Sequence, residues 1–243
     1  MPAHPARWRI FDCLSSFTSR FSDSPESPIG LDAPSLQCIM APMSTIKTVC
    51  VYCGSGPGTN PHFTEGAKAF GKALAENNIR LVYGGGSLGL MGAVATSVLD
   101  HGGTVTGIIP DFLRLRENAL TRVQEMIVTP DMHERKRLMF ERSDAFVALP
   151  GGVGTLEELV EQLTWKQLGR HAKPVLLANI DNFWEPLFSL LSHMRQTEFI
   201  RAGLSVDILK ADRVEEILPK LKAAAAQIAD AEKQLAPEVA RKL

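Results

Sequence analysis

Three carboxylates, Glu157, Glu158 and Glu161, follow a glycine-rich turn in Asp144-Ala-Phe-Val-Ala-Leu-Pro-Gly-Gly-Val-Gly-Thr-Leu-Glu-Glu-Leu-Val-Glu161. Residues 145–149 form a short apolar run, which predicts a buried strand. Pro150, Gly151 and Gly152 stop it. Gly154 and Thr155 then open a helix with Leu156, Leu159, Val160 and Leu163 as its apolar positions. Strand, glycine turn and helix N-terminus aim free backbone N–H groups at an anion, and phosphate is the obvious guest. A plain phosphate cradle has no use for so many acids, so at least one of them reads as chemistry. A structural role competes with this. Thr155-Leu-Glu-Glu158 fits a capping box with Thr155 as N-cap, and acids are favoured in a helix's first turn. On this stretch alone the two readings balance.

Two other constellations could join it. Gly84-x-Gly86-x-x-Gly89 follows a predicted strand and opens a helix, as the dinucleotide fingerprint requires. The acid expected after the next strand falls late, at Asp111. A phosphate or ribose contact around Gly86 and Ser87 is therefore expected ahead of a full NAD site. Glycines serving only a tight turn and close helix–sheet packing are the competing explanation. Arg135, Lys136 and Arg137 run consecutively in a helix predicted over 131–142. Three adjacent cations cannot share one helical face. One or two could point at the glycine turn of the next strand, but the residues alone favour a solvated outer face. Cys50-Val-Tyr-Cys53 has redox spacing, yet it lies in a strand predicted over 48–53, where positions three apart face opposite sides. Two packed thiols are expected. The histidines are scattered, none at ligand spacing, so no metal site is expected.

The elements that must position these groups alternate. Strands are predicted over 48–53, 80–83, 104–109, 125–128, 145–149, 174–178 and 206–209. Helices are predicted over 61–76, from the Gly84–Gly92 turn to near 102, over 131–142, from 154 onward, over 183–199 and over 214–225. Regular alternation with near-continuous apolar strands predicts an α/β domain whose parallel sheet is covered on both faces. Ligands bind at the carboxyl ends of such strands, where all three glycine turns lie: Gly54-Ser-Gly-Pro-Gly58, Gly84–Gly92 and Pro150–Gly154. The 243 residues are 45% hydrophobic with a formal net charge of −1. That suits one domain and gives no support for a nucleic-acid or membrane surface. No apolar run reaches the roughly 20 residues that span a bilayer. Four cysteines without a disulfide pattern point to a reducing cytoplasm. Residues 1–42 are dense in Ser and Pro and read as a disordered leader ahead of a folded unit over 43–225. Residues 226–243 read as a helical or frayed tail.

Taken in order, Val-Tyr-Gly-Gly-Gly-Ser-Leu-Gly-Leu-Met-Gly92, Asp131-Met-His-x-Arg135-Lys136, Pro150-Gly-Gly-Val-Gly-Thr-Leu-Glu-Glu158 and Leu163-Thr-Trp-Lys-Gln-Leu-Gly-x-His-x-Lys-Pro174 resemble the LONELY GUY family. These are cytokinin riboside 5′-monophosphate phosphoribohydrolases, once widely mislabelled lysine decarboxylases. The resemblance spans roughly 48–221. It implies a Rossmann-like fold, usually a homodimer with the site near the subunit interface. It also implies hydrolysis of the N-glycosidic bond of an N6-substituted AMP to free base and ribose 5-phosphate. No metal or organic cofactor is expected, since the sequence offers neither ligand spacing nor a Schiff-base site. Carried over by motif, Arg135 and Glu158 fall on the catalytic pair. Lys136, Gly152, Val153, Gly154, Thr155, Leu156, Glu157 and Thr164 fall on substrate-binding positions, and Glu117 matches the acid that follows the Ile-Ile-Pro strand end. The family's usual Gly-Tyr-Tyr after the Pro174 strand is replaced by Asn182-Phe183-Trp184.

Two rival chemistries follow from the same resemblance. A pyridoxal-phosphate decarboxylase needs a Schiff-base lysine. Lys136 and Lys173 are the candidates near motifs, and neither has an identifiable partner for the pyridinium nitrogen. A non-catalytic nucleotide or molybdenum-cofactor carrier of the same fold would not need Glu158. Met43 stands just before the first predicted strand, so a chain truncated to begin there should fold and keep its activity. Circular dichroism and turnover of that truncation check this, and loss of either counts against a dispensable leader.

Overall fold

The computed structural model describes residues 46–200 and 207–240, with the side chains of the last helix described as far as 231. The expected leader over 1–42 lies outside the described residues. Seven strands and six α-helices alternate along the described chain: β1 Thr48–Tyr52, α1 Pro61–Glu76, β2 Arg80–Tyr83, α2 Gly89–Asp100, β3 Val105–Pro110, β4 Glu125–Thr129, α3 Met132–Glu141, β5 Ala145–Ala148, α4 Val153–Gln167, β6 Val175–Ala178, α5 Glu185–Gln196, β7 Leu209–Ala211 and α6 Ile217–Ala240. The strands form one sheet in the order β4-β3-β2-β1-β5-β6-β7. Every pairing is parallel. The chain lays down β1 to β4 in one direction, then returns to place β5 beside β1, in register Val49↔Ala145 through Tyr52↔Ala148. Strand order therefore reverses between β1 and β5. In an open α/β sheet that is where a crevice opens beyond the strand ends.

The pleat sends alternate strand residues to opposite faces. Val49, Val51, Leu81, Tyr83, Ala145 and Val147 pack against α1, α2 and α6. Cys50, Tyr52, Val82, Phe146 and Ala148 pack against α3, α4 and Trp184. Cys50 and Cys53 are both buried free thiols and belong to opposite layers, as strand periodicity requires.

Local chemistry sets the helix ends. Asn60 caps α1, its side chain accepting from the His62 N–H at 3.0 Å, and Pro61 occupies the first helical position, where no N–H is needed. The expected bounds of α1 and β2 hold to the residue. The expectation for β7 does not. It covered 206–209, but the strand is Leu209–Ala211, fixed by pairing Leu176↔Leu209 through Ala178↔Ala211. The Asn179 N–H also donates to the Ala211 carbonyl at 2.7 Å. Lys210 and Ala211 are poor strand formers, so the sheet edge rather than propensity selects them. The last helix runs on past the expected 225 to Ala240, through a stretch rich in Ala, the best helix former. No helix among the described residues is long and apolar enough to cross a membrane.

α1 and α2 approach closely because Gly71 faces α2. A Cβ there would lie 2.5 Å from the Val94 carbonyl oxygen and 2.8 Å from Ser97 Cβ. The Ser97 hydroxyl donates to the Lys68 carbonyl at 2.6 Å and closes the same contact. Neither backbone can yield cheaply, so Gly71→Ala should destabilise the fold by about 1–3 kcal/mol, the usual cost of overpacking. Urea denaturation should show a lower midpoint at unchanged slope.

Candidate active site

The crevice predicted by the strand order is a cleft of ≈ 340 Å³ beyond β1 and β5. The turns after the two strands are tied together by the Gly54 N–H, which donates to the Pro150 carbonyl at 3.1 Å. Glycine is required at this junction. A Cβ on Gly151 would strike Thr155 Oγ1 and lie 2.9 Å from the Gly54 nitrogen.

α4 begins here, and its cap is not the expected one. Gly152 is the N-cap, in extended conformation and with no side chain to offer. Thr155 is already the third helical residue and is buried. The capping box is therefore absent, because the chain becomes helical at Val153, two residues before Thr155. The amides at the start of α4 have no side-chain cap and open onto the cleft, the arrangement that receives an anion.

Glu158 projects from the next turn and is only 8% exposed. Arg135, 5% exposed, reaches it from α3, with Nη2 3.5 Å from Oε1. That separation is an ion pair rather than a close fork, and Arg135 Nε has no protein partner. Asp131 caps α3 by accepting from the Glu134 N–H at 2.8 Å, which sets the turn that carries Arg135. Space for the guanidinium comes from Gly84, where a Cβ would run into Arg135 Nη2. A Cβ on Gly86 would lie 3.3 Å from Glu117 Cβ. The apparent dinucleotide fingerprint thus admits Arg135 and Glu117 to the cleft. Asp111, the acid that fingerprint called for, is exposed and pairs with Arg114 at 3.2 Å.

The three consecutive cations divide, against the expectation of a solvated face. Arg135 and Lys136 turn inward, and only Arg137 stays exposed, between Glu134 at 2.6 Å and Glu141 at 2.7 Å. Lys136 lies between Glu157 at 2.5 Å and Glu161 at 3.0 Å.

Of the residues singled out from the sequence, Arg135, Glu158, Glu117, Gly152, Val153, Gly154, Thr155 and Glu157 line the cleft. Five do not. Lys136 sits behind Glu157, Leu156 and Thr164 lie on the exposed side of α4, and Gly86 and Ser87 hold the Glu117 loop through their backbones. Gly86 bridges Ala119, and the Ser87 N–H donates to the Glu117 and Asn118 carbonyls, each at 3.1 Å. Sequence reasoning had not assigned Cys53, Gly54, Ser55, Gly84, Leu113 and Met132, which also line the cleft. The turn Gly54-Ser-Gly-Pro-Gly58 is the available signal for Gly54 and Ser55, and the Gly84-x-Gly86-x-x-Gly89 turn for Gly84.

Burial raises the Glu158 carboxyl to about 7. Arg135 opposes the rise, and Glu157 and Glu117 reinforce it. Glu117 is raised as well, by burial against the pull of Arg135, and its buried Oε2 has no protein partner. Burial likewise lifts the Cys53 thiol well above its ordinary value, so it stays protonated and is no nucleophile. What remains is an anion seat beside a carboxylate poised near neutrality, which can face a cation developing next to a bound phosphate.

The raised Glu158 carboxyl has a stability consequence. Its ordinary value is 4.5, so between there and about 7 the folded chain holds a proton that the unfolded chain has released. The contribution is complete below 4.5 and is lost as pH rises through about 7. Melting temperature should therefore fall from pH 5 to 8 in the wild type, and Glu158→Gln should flatten that slope.

The chain is similar to known proteins. A family profile described as "Possible lysine decarboxylase" matches residues 91–221. The chain is 43% identical over 193 residues to "Probable cytokinin riboside 5'-monophosphate phosphoribohydrolase LOGL1" of Oryza sativa subsp. japonica, covering 79% of this chain and 86% of that one. It is 44% identical over 172 residues to "Cytokinin riboside 5'-monophosphate phosphoribohydrolase" of Rhodococcoides fascians, covering 70% and 87%. Among solved structures it resembles the Moco carrier protein from Chlamydomonas reinhardtii, with a TM-score of 0.57 at 25% identity over 75% of this chain and 99% of that one. With its parallel Rossmann-like sheet and its buried Arg135–Glu158 pair beside an open helix N-terminus, the chain belongs to the LONELY GUY family of cytokinin riboside 5′-monophosphate phosphoribohydrolases.

Proposed function

We propose that this chain hydrolyses the N-glycosidic bond of N6-substituted adenosine 5′-monophosphates, or of AMP itself, to free base and ribose 5-phosphate. The observation that carries the reading is the Arg135–Glu158 pair, buried in the cleft one turn beyond the uncapped start of α4. The names of the relatives supply the substrate class.

The geometry divides the work. The 5′-phosphate sits on the amides of residues 152–155, where the helix dipole favours it. That fixes the ribose with its anomeric carbon toward Glu158. As the base departs, the sugar gains oxocarbenium character. The Glu158 carboxylate stabilises that charge and takes one proton of the incoming water, whose oxygen bonds to the anomeric carbon, while the base leaves with the glycosidic electron pair and gains its proton from solvent. Arg135 holds Glu158 in place and has unused donors for a phosphate oxygen. The free Oε2 of Glu117 accepts from a ribose hydroxyl. Anchoring the phosphate aligns a bond several atoms away, so remote binding contributes to the rate. The cytoplasmic enzyme acts as a homodimer. The exposed side of α4, with Val153, Leu156, Val160 and Thr164, supports a second copy packing there.

Decarboxylase chemistry lacks its lysine. Lys136 lies between two carboxylates, which outweigh burial and keep its pKa above the ordinary value. Lys173 donates to the Phe140 carbonyl at 2.7 Å and lies over the Phe140 ring. A carrier role leaves Glu158 without a task.

Incubation with AMP and with isopentenyl-AMP should release free base. Glu158→Gln keeps the shape and loses the charge, so its turnover should fall by roughly 10²-fold or more with substrate still bound. The acid limb of the wild-type pH–rate profile should lie near 7, because Glu158 must be ionised to act. A folded Glu158→Gln protein with near-wild-type turnover would sink the assignment.

A further inference from the structure

Two adjacent cations on α3 meet acids on α4. Neighbouring residues of a helix point about 100° apart, so one α3 position can face the cleft while the next faces elsewhere. Arg135 takes Glu158 on the cleft side. Lys136 takes Glu157 and Glu161, which stand one turn apart on the same side of α4. The two acids are unequal. The Glu157 side chain is 53% exposed, so solvent screens its pull. The Glu161 side chain is 23% exposed, and its Oε2 is buried with no protein partner. Glu161 is therefore the shielded end of the tie.

α3 meets α4 through apolar and charged contacts together. Its fully buried residues are Arg135, Lys136 and Met139, and the half-buried Phe140 meets Trp165 of α4 edge-on at 5.1 Å. That ring contact lies at the far end of both helices, so at the Arg135 end the tie to α4 is the ion pair. A buried ion pair adds little net stability, but it does select one arrangement of its partners. Here the selected arrangement also sets the Arg135–Glu158 separation of 3.5 Å.

We infer that Glu161 is a positioning residue: by holding Lys136 against α4, it places Arg135 against Glu158. The inference rests on the proposed hydrolase reading, in which that pair does the chemistry. Glu161 does not line the cleft, so it acts through its neighbours rather than on substrate.

The test uses the full chain with Glu161→Gln and Glu161→Ala, read by steady-state kinetics on AMP and by the carboxyl ¹³C titration of Glu158, whose signal is assigned by its loss in Glu158→Gln. Glu158 is faced by Arg135 and Lys136 from α3, by Glu117 from the loop after β3, by Glu157 on its own helix, and by the neutral Cys50, Tyr52 and Cys53 of β1 and its turn. With the tie loosened, Arg135 draws away from Glu158 and its lowering pull weakens, so Glu158 should titrate at higher pH; a shift to lower pH would report only the freed Lys136 charge and would overturn the inference. Turnover should fall about threefold in Glu161→Gln and about tenfold in Glu161→Ala, with KM changed less than about twofold, because misplacement harms the transition state more than binding. A merely structural role would lower the melting temperature and leave turnover per folded molecule and the titration unmoved. Either value unmoved in Glu161→Gln overturns the inference, as does a Glu161→Gln chain that cannot fold. If Glu161→Ala fails to fold, the isosteric Gln variant decides alone. A wild type that releases no base from any nucleotide sinks the hydrolase reading instead, and the Glu158 titration then judges the tie without turnover.

Discussion

Arg135 is a full charge taken out of water, and much of the site answers the need to compensate it. An unpaired buried guanidinium would cost several kcal/mol. Glu158 meets it at 3.5 Å, and Glu117 lies close enough for Arg135 to hold down its rise. Neither acid saturates the guanidinium, whose Nε finds no protein partner. The pair is thus incomplete as a structural salt bridge and well suited to a guest that brings negative charge. It also explains the sheet's glycines. Gly84 at the end of β2 has no side chain because the guanidinium occupies that volume, and Gly86 lacks one beside Glu117.

The glycine turns therefore do two jobs that sequence patterns do not distinguish. After β5, Gly151 and Gly152 bring the backbone against Gly54 and leave α4 uncapped, which creates an anion seat. After β2, the glycines create room for side chains arriving from α3 and from the loop after β3. Read as a motif, the second set suggests a dinucleotide. Read with the space around each Cβ, it is a socket for the Arg135 and Glu117 side chains.

This is also where legibility ends. α1 was readable to its ends because Asn60 and Pro61 carry local chemistry for a helix start. The sheet was readable because seven apolar runs alternated with helices. β7 was not, since Lys210 and Ala211 become strand only by pairing with β6. Thr155 mimicked a cap because its neighbours match the pattern, yet Gly152 had already begun the helix. The inward turn of Arg135 and Lys136 depends on partners from α4 and on a void left by β2. Neither is a property of α3, whose residues alone looked like a solvated face. The resemblance to a family pointed to Arg135 and Glu158, but only the fold supplies the reason they meet.

A tension remains inside the cleft, and it bears on mechanism. Burial and two neighbouring acids push Glu158 toward its neutral form, while the proposed reaction needs it ionised. A phosphate dianion close by would push it further the same way. Two features oppose that push. In the proposed reaction the start of α4 would spend its dipole on the phosphate at residues 152–155, so the dianion would be partly neutralised where it sits. Arg135 lies 3.5 Å from Glu158 and, with the Lys136 charge, favours its ionised form. A sugar turning cationic beside it would favour the ionised carboxylate further, at the moment it is required. A carboxyl held near neutrality in the resting site is thus a consequence of burying the groups that the transition state needs, and burial also strengthens every charge interaction they make there.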